Sequence, residues 1–138
     1  MSTRRAPSAK ARRMLDRQYK EHDEQAAVIR WAMLRSLAIP ELALLHAIPN
    51  GGHRSRVAAA RLKAEGVKAG VPDLALPVPR GPYHGLYIEM KTRYGRPSVE
   101  QNWWLNRLCE QGYRAVVCRG FEEARAEIES YLALRVAA

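Results

Sequence analysis

Apolar residues recur with two different spacings along the chain, and the spacing changes from one segment to the next. Steps of three and four residues predict helices from residue 21 to Pro40, over 57–65, from Ser98 to Gly112 and over 121–134. Shorter apolar runs that end near proline or glycine predict strands at 42–48, 71–76, 86–91 and 115–118. This alternation predicts an α/β fold in which a small mixed sheet is flanked by helices.

The helical spacing also predicts which residues face the core. These are Val28, Trp31, Leu34 and Leu37 in the first helix, Trp104, Leu105 and Leu108 in the third, and Ala124, Ile128 and Leu132 in the last. Ser98 and Gln101 have the spacing of a capping box, in which each side chain binds the backbone N–H of the other residue. The third helix is therefore expected to begin there.

The length of 138 residues suits one domain with a single core. Residues 1–20 lack apolar periodicity and are interpreted as a basic N-terminal arm, either mobile or a loosely attached helix, before a domain over 21–138. No apolar run approaches the roughly 20 residues that span a bilayer, and no signal-peptide core follows the basic start. We therefore expect a cytoplasmic protein that does not bind membranes. Cys109 and Cys118 are expected to be buried free thiols.

Basic residues are concentrated in two segments of a chain whose net charge is +9. Residues 1–20 carry seven Lys and Arg against the single acid Asp16. The second segment contains Arg54, Arg56, Arg61, Lys63 and Lys68, opposed only by Glu65. Such segments favour a polyanion, because neutralised phosphates release condensed counterions. A solubilising tail and a solvated helix face explain the same charges, so charge alone does not decide.

Candidate chemistry first appears in the predicted strand Leu86–Lys91. Alternation places Tyr87, Glu89 and Lys91 on one face of it. By itself this pattern is more typical of a solvent-facing ion pair. Asp73, sixteen residues before Glu89, follows Pro72 at the mouth of the preceding strand, although Pro-Asp is also a common turn pair.

A hairpin between these two strands would bring both carboxylates together beside Lys91. Two close carboxylates repel each other unless a cation lies between them. Oxygen ligands with open water positions suit Mg²⁺ or Mn²⁺, which can polarise a phosphoryl oxygen and activate a water. The pattern therefore suits a divalent-metal site that could act on a phosphoryl group.

Pro72-Asp73 followed by Glu89-Met90-Lys91 across a hairpin resembles the PD-(D/E)XK nuclease motif. More narrowly, the chain resembles the VRR-NUC (virus-type replication-repair nuclease) family over about residues 21–133. The further segments that carry the resemblance are Glu24-Gln25 leading into Trp31, the run from His46 to Gly52, the run from Gly66 to Asp73, Glu100-Gln101 and Gly112-Tyr113. The resemblance implies a single-domain restriction-endonuclease-like fold.

The resemblance also implies roles for individual residues. Asp73 and Glu89 resemble the metal ligands, with the Met90 backbone carbonyl as a third, and Lys91 resembles the catalytic lysine. Glu24 resembles the helical acid that reaches the metal directly or through water. Glu21 and Asp23 are alternatives, and a helix N-terminus favours an acid for electrostatic reasons alone. Gln101 resembles the family's glutamine near the active site. It also fills the capping-box position, and one side chain is not expected to do both.

The expected function is that of a Mg²⁺- or Mn²⁺-dependent DNA endonuclease that prefers branched DNA such as Holliday junctions, in phage-type repair or recombination. Since a symmetric junction needs two cuts, a homodimer is expected. Candidate DNA contacts are the basic N-terminal arm, the second basic segment (Arg54, Arg56, Arg61, Lys63 and Lys68) and the Asn50-Gly51 turn, whose N–H groups could bind phosphate. That turn could equally be an ordinary one. His46, His53 and Tyr87 are assigned no catalytic role.

Two alternatives remain. One is a non-catalytic DNA-binding module with the same fold, against which the clustered acids argue because they would repel DNA without a metal. The other is an RNA- or ribosome-associated protein. RNA recognition usually exposes stacking aromatic side chains, and the sequence contains a single Phe, with Trp31 and Trp104 at predicted core positions.

Overall fold

Four strands form one mixed sheet in the computed structural model, which describes residues 6–49 and 55–136. In chain order they are β1 (His46–Ala47), β2 (Leu74–Leu76), β3 (Leu86–Lys91) and β4 (Arg114–Arg119). They also lie side by side in this order; β1 and β3 run antiparallel to β2, and β4 runs parallel to β3. The parallel pair requires a crossover, which a helix provides.

Four α-helices accompany the sheet in the described residues. They are α1 (Ala9–Arg35), α2 (Arg56–Ala64), α3 (Val99–Glu110) and α4 (Phe121–Leu132). Ser8, Ser55 and Ser98 accept backbone N–H groups at the starts of the first three helices, which satisfies donors that the helix itself leaves unpaired. The predicted α/β fold with a small mixed sheet flanked by helices is confirmed.

The hydrophobic core lies between one face of the sheet and helices α1 and α4. Ile88 and Met90 of β3 point into it, where they join Val28 of α1 and Ile128 of α4, all almost fully buried. Alternation along β3 turns Tyr87, Glu89 and Lys91 to the opposite face. The candidate chemistry therefore lies outside the main core but on a strand that the core holds in place.

The first helix was predicted from residue 21 to Pro40, but it begins at Ala9 and ends at Arg35. Residues 9–20 of the predicted arm are therefore helical and continuous with the residues that follow. Leu34 and Leu37, expected to face the core, are 73% and 90% exposed. The core-facing stripe of α1 contains Val28 and Ala32, and at about 100° per residue Leu34 lies on the far side of the helix from Ala32.

Two further predictions are corrected. The strand expected at 42–48 is reduced to His46–Ala47, because Pro40–Leu44 forms a 3₁₀ turn with proline at its start. Cys109 is exposed, whereas Cys118 is buried as expected. In the part of the chain that the structure describes, no helix combines the length and the apolar character needed to cross a bilayer.

Candidate active site

The sheet register brings the two predicted carboxylates side by side. Leu74 of β2 pairs with Ile88 of β3, so Asp73, one residue earlier, lies next to Glu89, one residue later. Lys91 follows on the same face of β3. The hairpin expected between these strands therefore forms, and it places Asp73, Glu89 and Lys91 at one end of the sheet.

Each of these side chains has a defined contact. Asp73 Oδ2 accepts a hydrogen bond from the Met90 backbone N–H at 2.7 Å. Lys91 Nζ lies 3.4 Å from Glu89 Oε1, and the same oxygen accepts a hydrogen bond from Gln101 Nε2 at 2.8 Å. Glu89 is only 2% exposed, and its other oxygen, Oε2, has no hydrogen-bond partner among the described residues. A buried carboxylate oxygen without a donor is costly unless another positive group completes it.

The electrostatics of the pair follow from burial and proximity. Burial raises the pKa of Glu89 to about 8, with the charge of Asp73 acting in the same direction and Lys91 opposing the change. Burial also raises the pKa of Asp73, against the Met90 N–H and the charge of Lys91. One lysine therefore does not compensate the buried Glu89 and the partly buried Asp73, and a proton or a cation is favoured between the two carboxylates.

The donor set fits a hard divalent cation in part. Two carboxylates, one with an unpartnered oxygen, are the ligands that Mg²⁺ and Mn²⁺ prefer. No group of three or more His, Cys, Asp and Glu side chains in residues 6–49 and 55–136 is arranged to hold a metal ion.

Gln101 combines the two roles that were expected to exclude each other, the capping box and the contact with the active-site glutamate. Its Oε1 accepts the Ser98 backbone N–H at 2.8 Å while its Nε2 donates to Glu89. The expectation that one side chain would not do both was wrong, because the two ends of an amide carry opposite hydrogen-bonding roles. The capping box thus fixes the orientation of the donor that contacts Glu89.

Gly70 controls how closely the loop before β2 approaches this capping box. Its φ is +89°, and an added Cβ would lie 2.7 Å from the backbone carbon of Glu100. Gly70→Ala is therefore expected to lower the free energy of unfolding by about 1–3 kcal/mol and to reduce activity by displacing Gln101. Thermal denaturation beside Gly66→Ala, which has a similar φ but no atom within 4 Å of the added Cβ, measures this. Equal losses in both variants would mean that the contact with Glu100 is unimportant.

The acids of α1 lie on the Lys91 side of the site. Glu24 accepts the Phe121 backbone N–H, so it caps the start of α4. Glu21 and Glu24 both line a cavity with Lys91, and Glu21 lines a second cavity beside Lys91. Asp23 is exposed. The structure therefore brings Glu21 and Glu24 to this region and engages Glu24 in a structural contact.

The same cavity joins three cations of the basic N-terminal arm to Arg93 and Arg119, which the sequence did not single out. It has a volume of about 560 Å³, and its lining includes Arg13, Arg17, Lys20, Arg93 and Arg119 together with Lys91. Arg119 of β4 pairs in register with Lys91, but nothing local in the sequence indicates this parallel pairing. We call the surface formed by these six residues the basic groove.

The second basic segment is only partly described. Arg56, Arg61 and Lys63 lie on α2, which buries none of its residues, and Lys68 is exposed beyond it. Asn50, Gly51 and Arg54 lie outside the described residues. Contact of this segment with DNA remains a prediction.

Comparison with known proteins decides the family. The model of the VRR-NUC domain matches residues 6–122, most of the chain and all of the carboxylate cluster. The chain belongs to the VRR-NUC family. A solved structure described as a VRR_NUC domain protein is similar to it, with a TM-score of 0.71 and 30% sequence identity over 85% of this chain and 91% of that chain. No curated protein matches.

Membership of the VRR-NUC family confirms the predicted resemblance and the predicted fold class. The family is one of nuclease-like domains, and DNA is the substrate that such a domain implies. The match includes residues 9–20, so the helix that carries Arg13, Arg17 and Lys20 lies within the matched region.

Proposed function

We propose that this VRR-NUC domain is a Mg²⁺- or Mn²⁺-dependent DNA endonuclease. The observation that carries the proposal is the adjacent pair of partly buried Asp73 and buried Glu89. Glu89 Oε2 has no hydrogen-bond partner among the described residues, and Lys91 Nζ lies 3.4 Å from Glu89 Oε1. A binding surface for DNA alone would gain nothing from two adjacent acids, since they repel phosphate. The same pair would be useful for catalysis if it held a divalent cation, because the cation attracts phosphate and can activate a water.

Asp73 and Glu89 would hold the cation, with the Met90 carbonyl as a third ligand. When bound, the cation would polarise a phosphoryl oxygen and favour deprotonation of the attacking water. Lys91, with Nζ 3.4 Å from Glu89 Oε1, would donate to a phosphate oxygen or orient that water. Gln101 and the Met90 N–H hold the two carboxylates in position. Of the α1 acids, we assign the role near the cation to Glu21, since Glu24 is occupied by the Phe121 N–H.

The DNA backbone would lie along the basic groove. Five cationic side chains there join Lys91 around one cavity and offset the acids Asp16, Glu21 and Glu24. Phosphate contacts of this kind are independent of sequence and depend strongly on salt. With the exposed cations of α2, they suit a substrate with more than one arm, such as branched DNA, which a homodimer could cut twice.

The test is cleavage of labelled four-way junction, flap, single-stranded and duplex DNA with Mg²⁺, Mn²⁺ or EDTA. We expect products that require the metal and form fastest on branched DNA. Cleavage that continues in EDTA would contradict the metal dependence, and equal rates on all four substrates would contradict structure selectivity. Tight binding without any product would favour the non-catalytic DNA-binding module instead.

Lys91→Ala is expected to lower the cleavage rate at least about 100-fold, because its ammonium acts at the reacting phosphate. Lys63→Ala is the matched control, since it removes the same charge from an exposed position on α2. The control is expected to weaken binding on all substrates and to lower the salt slope by about one, with cleavage of bound DNA unchanged. Single-turnover rates at saturating protein separate the two effects. A rate for Lys91→Ala equal to that of Lys63→Ala would remove Lys91 from the site.

A further inference from the structure

A second cavity, of about 200 Å³, opens beside the strand that carries Glu89. Four residues with aromatic side chains line it, His46, His84, Tyr87 and Tyr113. We call this cavity the side pocket. None of these four residues takes part in the carboxylate cluster described above.

The side pocket lies one step along the sheet from the acids. Tyr87 precedes Glu89 by two residues on the same face of β3, a separation of roughly 7 Å. Ile48 also lines the pocket, and its N–H donates to the backbone oxygen of Asp73 at 2.8 Å. Since successive nucleotides of a stacked strand are about 3.4 Å apart, the pocket is one or two nucleotides from a phosphate at Asp73 and Glu89.

The rings are arranged so that further stacking is possible. Tyr87 and Tyr113 have centroids 5.4 Å apart and an interplanar angle of 78°, and His84 meets Tyr113 at 5.7 Å and 67°. An edge-on pair covers at most one face of one ring, so other faces remain for a planar group. Gly112 allows this packing, because a Cβ there would lie 2.7 Å from His84 Cδ2.

The pocket also offers polar recognition. His46 Nδ1 lies 2.9 Å from the Leu44 backbone oxygen, which can only accept a hydrogen bond. In the neutral ring Nδ1 therefore carries the proton and Nε2 is an acceptor. The Tyr87 hydroxyl can donate and accept. Ring faces with a few hydrogen-bonding groups are what recognises an unstacked nucleobase.

Size and charge favour an uncharged planar group in the side pocket over a phosphate. The pocket is smaller than the roughly 300–1,000 Å³ of sites for drug-sized ligands, which suits one planar group. The described residues that line it include no Lys, Arg, Asp or Glu, so nothing there compensates a phosphate. A base inside a duplex cannot enter, because its faces and its pairing edge are already occupied.

We propose that the side pocket binds one unpaired nucleobase of the DNA, one or two nucleotides from the phosphate that Asp73 and Glu89 face. This proposal depends on the proposed function for one point alone, the position of a DNA phosphate at Asp73 and Glu89. It supplies a physical source of structure selectivity, because flaps and loops present unpaired bases and an intact duplex does not.

The test moves one abasic nucleotide through the unpaired segment of a flap substrate, with binding measured for the full-length Lys91→Ala protein. We expect one position, or two adjacent ones, at which loss of the base weakens binding about 5- to 100-fold. In a protein that also carries Tyr87→Leu, the affinity for the intact flap should fall by the same factor. An abasic nucleotide at the sensitive position should then weaken binding no further. Tyr87→Phe keeps the ring and should keep the position dependence.

A scan with equal affinity at every position would overturn the side pocket, as would a position dependence that Tyr87→Leu leaves unchanged. The scan itself leaves the pocket residues unaltered, so it does not depend on how well the Tyr87 variants fold. It also separates the two proposals. Cleavage with a flat scan retains the nuclease without the pocket, and a position-dependent scan without cleavage by the native protein retains the pocket without the nuclease.

Discussion

Glu89→Gln is expected to stabilise the metal-free protein at pH 8 by on the order of a few kcal/mol. The folded protein holds the pKa of Glu89 at about 8, mainly by burial, against an ordinary value of 4.5. At pH 8 the native carboxylate is therefore partly ionised in a place that disfavours its charge, next to Asp73. Glutamine has the same shape without the charge, so the variant escapes this cost.

The direction of the pH dependence follows from the same two pKa values. Below about pH 4.5 the group is protonated in the folded and the unfolded protein, so it does not affect stability. Between about 4.5 and 8 the folded protein binds more protons than the unfolded chain, so stability falls as the pH rises. Above about 8 the loss is complete. Glu89→Gln should lack this fall and should match the native protein near pH 4.5.

Urea unfolding in EDTA at pH 5 and pH 8 measures this difference. Glu127→Gln is the matched control, since Glu127 is partly buried and paired with Arg114 at 2.6 Å. That change should give no gain at either pH, because it breaks a favourable ion pair. A Glu89→Gln protein that is no more stable than the native one at pH 8 would contradict the assigned electrostatics.

The same variant should lose cleavage by at least about 1,000-fold, because the amide cannot replace a carboxylate ligand. Mg²⁺ or Mn²⁺ should also raise the Tm of the native protein and leave that of Glu89→Gln nearly unchanged. A gain in stability together with a loss of activity is the signature of a functional site. If Glu89 had only a structural role, Glu89→Gln would lower the stability as well as the activity.

The sequence predicted the centre of this site well because local rules and tertiary packing agree there. The alternation in Leu86–Lys91 separates a core face from a polar face, and the structure keeps both. Ser98 and Gln101 form the expected capping box, which starts α3 at the right residue. The Asp73 position then follows from the β2–β3 hairpin, whose register is set by the burial of Leu74 and Leu76.

The other features of the fold and of the site depend on strand pairing and side-chain packing that no local pattern encodes. Residues 42–48 are apolar enough for a strand, but the sheet ends at this edge and only His46–Ala47 pairs. Leu34 and Leu37 continue the apolar spacing of the first helix, but no part of the described chain packs over them, so they remain exposed. Arg119 reaches Lys91 only through the parallel register of β3 and β4. The basic groove and the side pocket therefore required the structure.

Asp73→Asn and Asp73→Ala are both expected to lower cleavage at least about 1,000-fold and to differ in stability. Either change removes the charge that faces Glu89, so the activity loss should be the same. Only asparagine keeps an oxygen that can accept the Met90 N–H, which Asp73 Oδ2 accepts at 2.7 Å. In Asp73→Ala that buried donor loses its partner, so its free energy of unfolding should be about 1–3 kcal/mol below that of Asp73→Asn.

Comparing the two variants with each other removes the effect of the lost charge, which they share. The difference in their unfolding free energies therefore isolates the bond that holds the end of β3 next to the residue before β2. Asp23→Asn serves as the control, since Asp23 is an exposed acid of α1, and it should keep both activity and stability. Full cleavage by Asp73→Asn would remove Asp73 from the catalytic centre. Equal stability of the asparagine and alanine variants would show that Asp73 serves the chemistry alone and does not hold the strand.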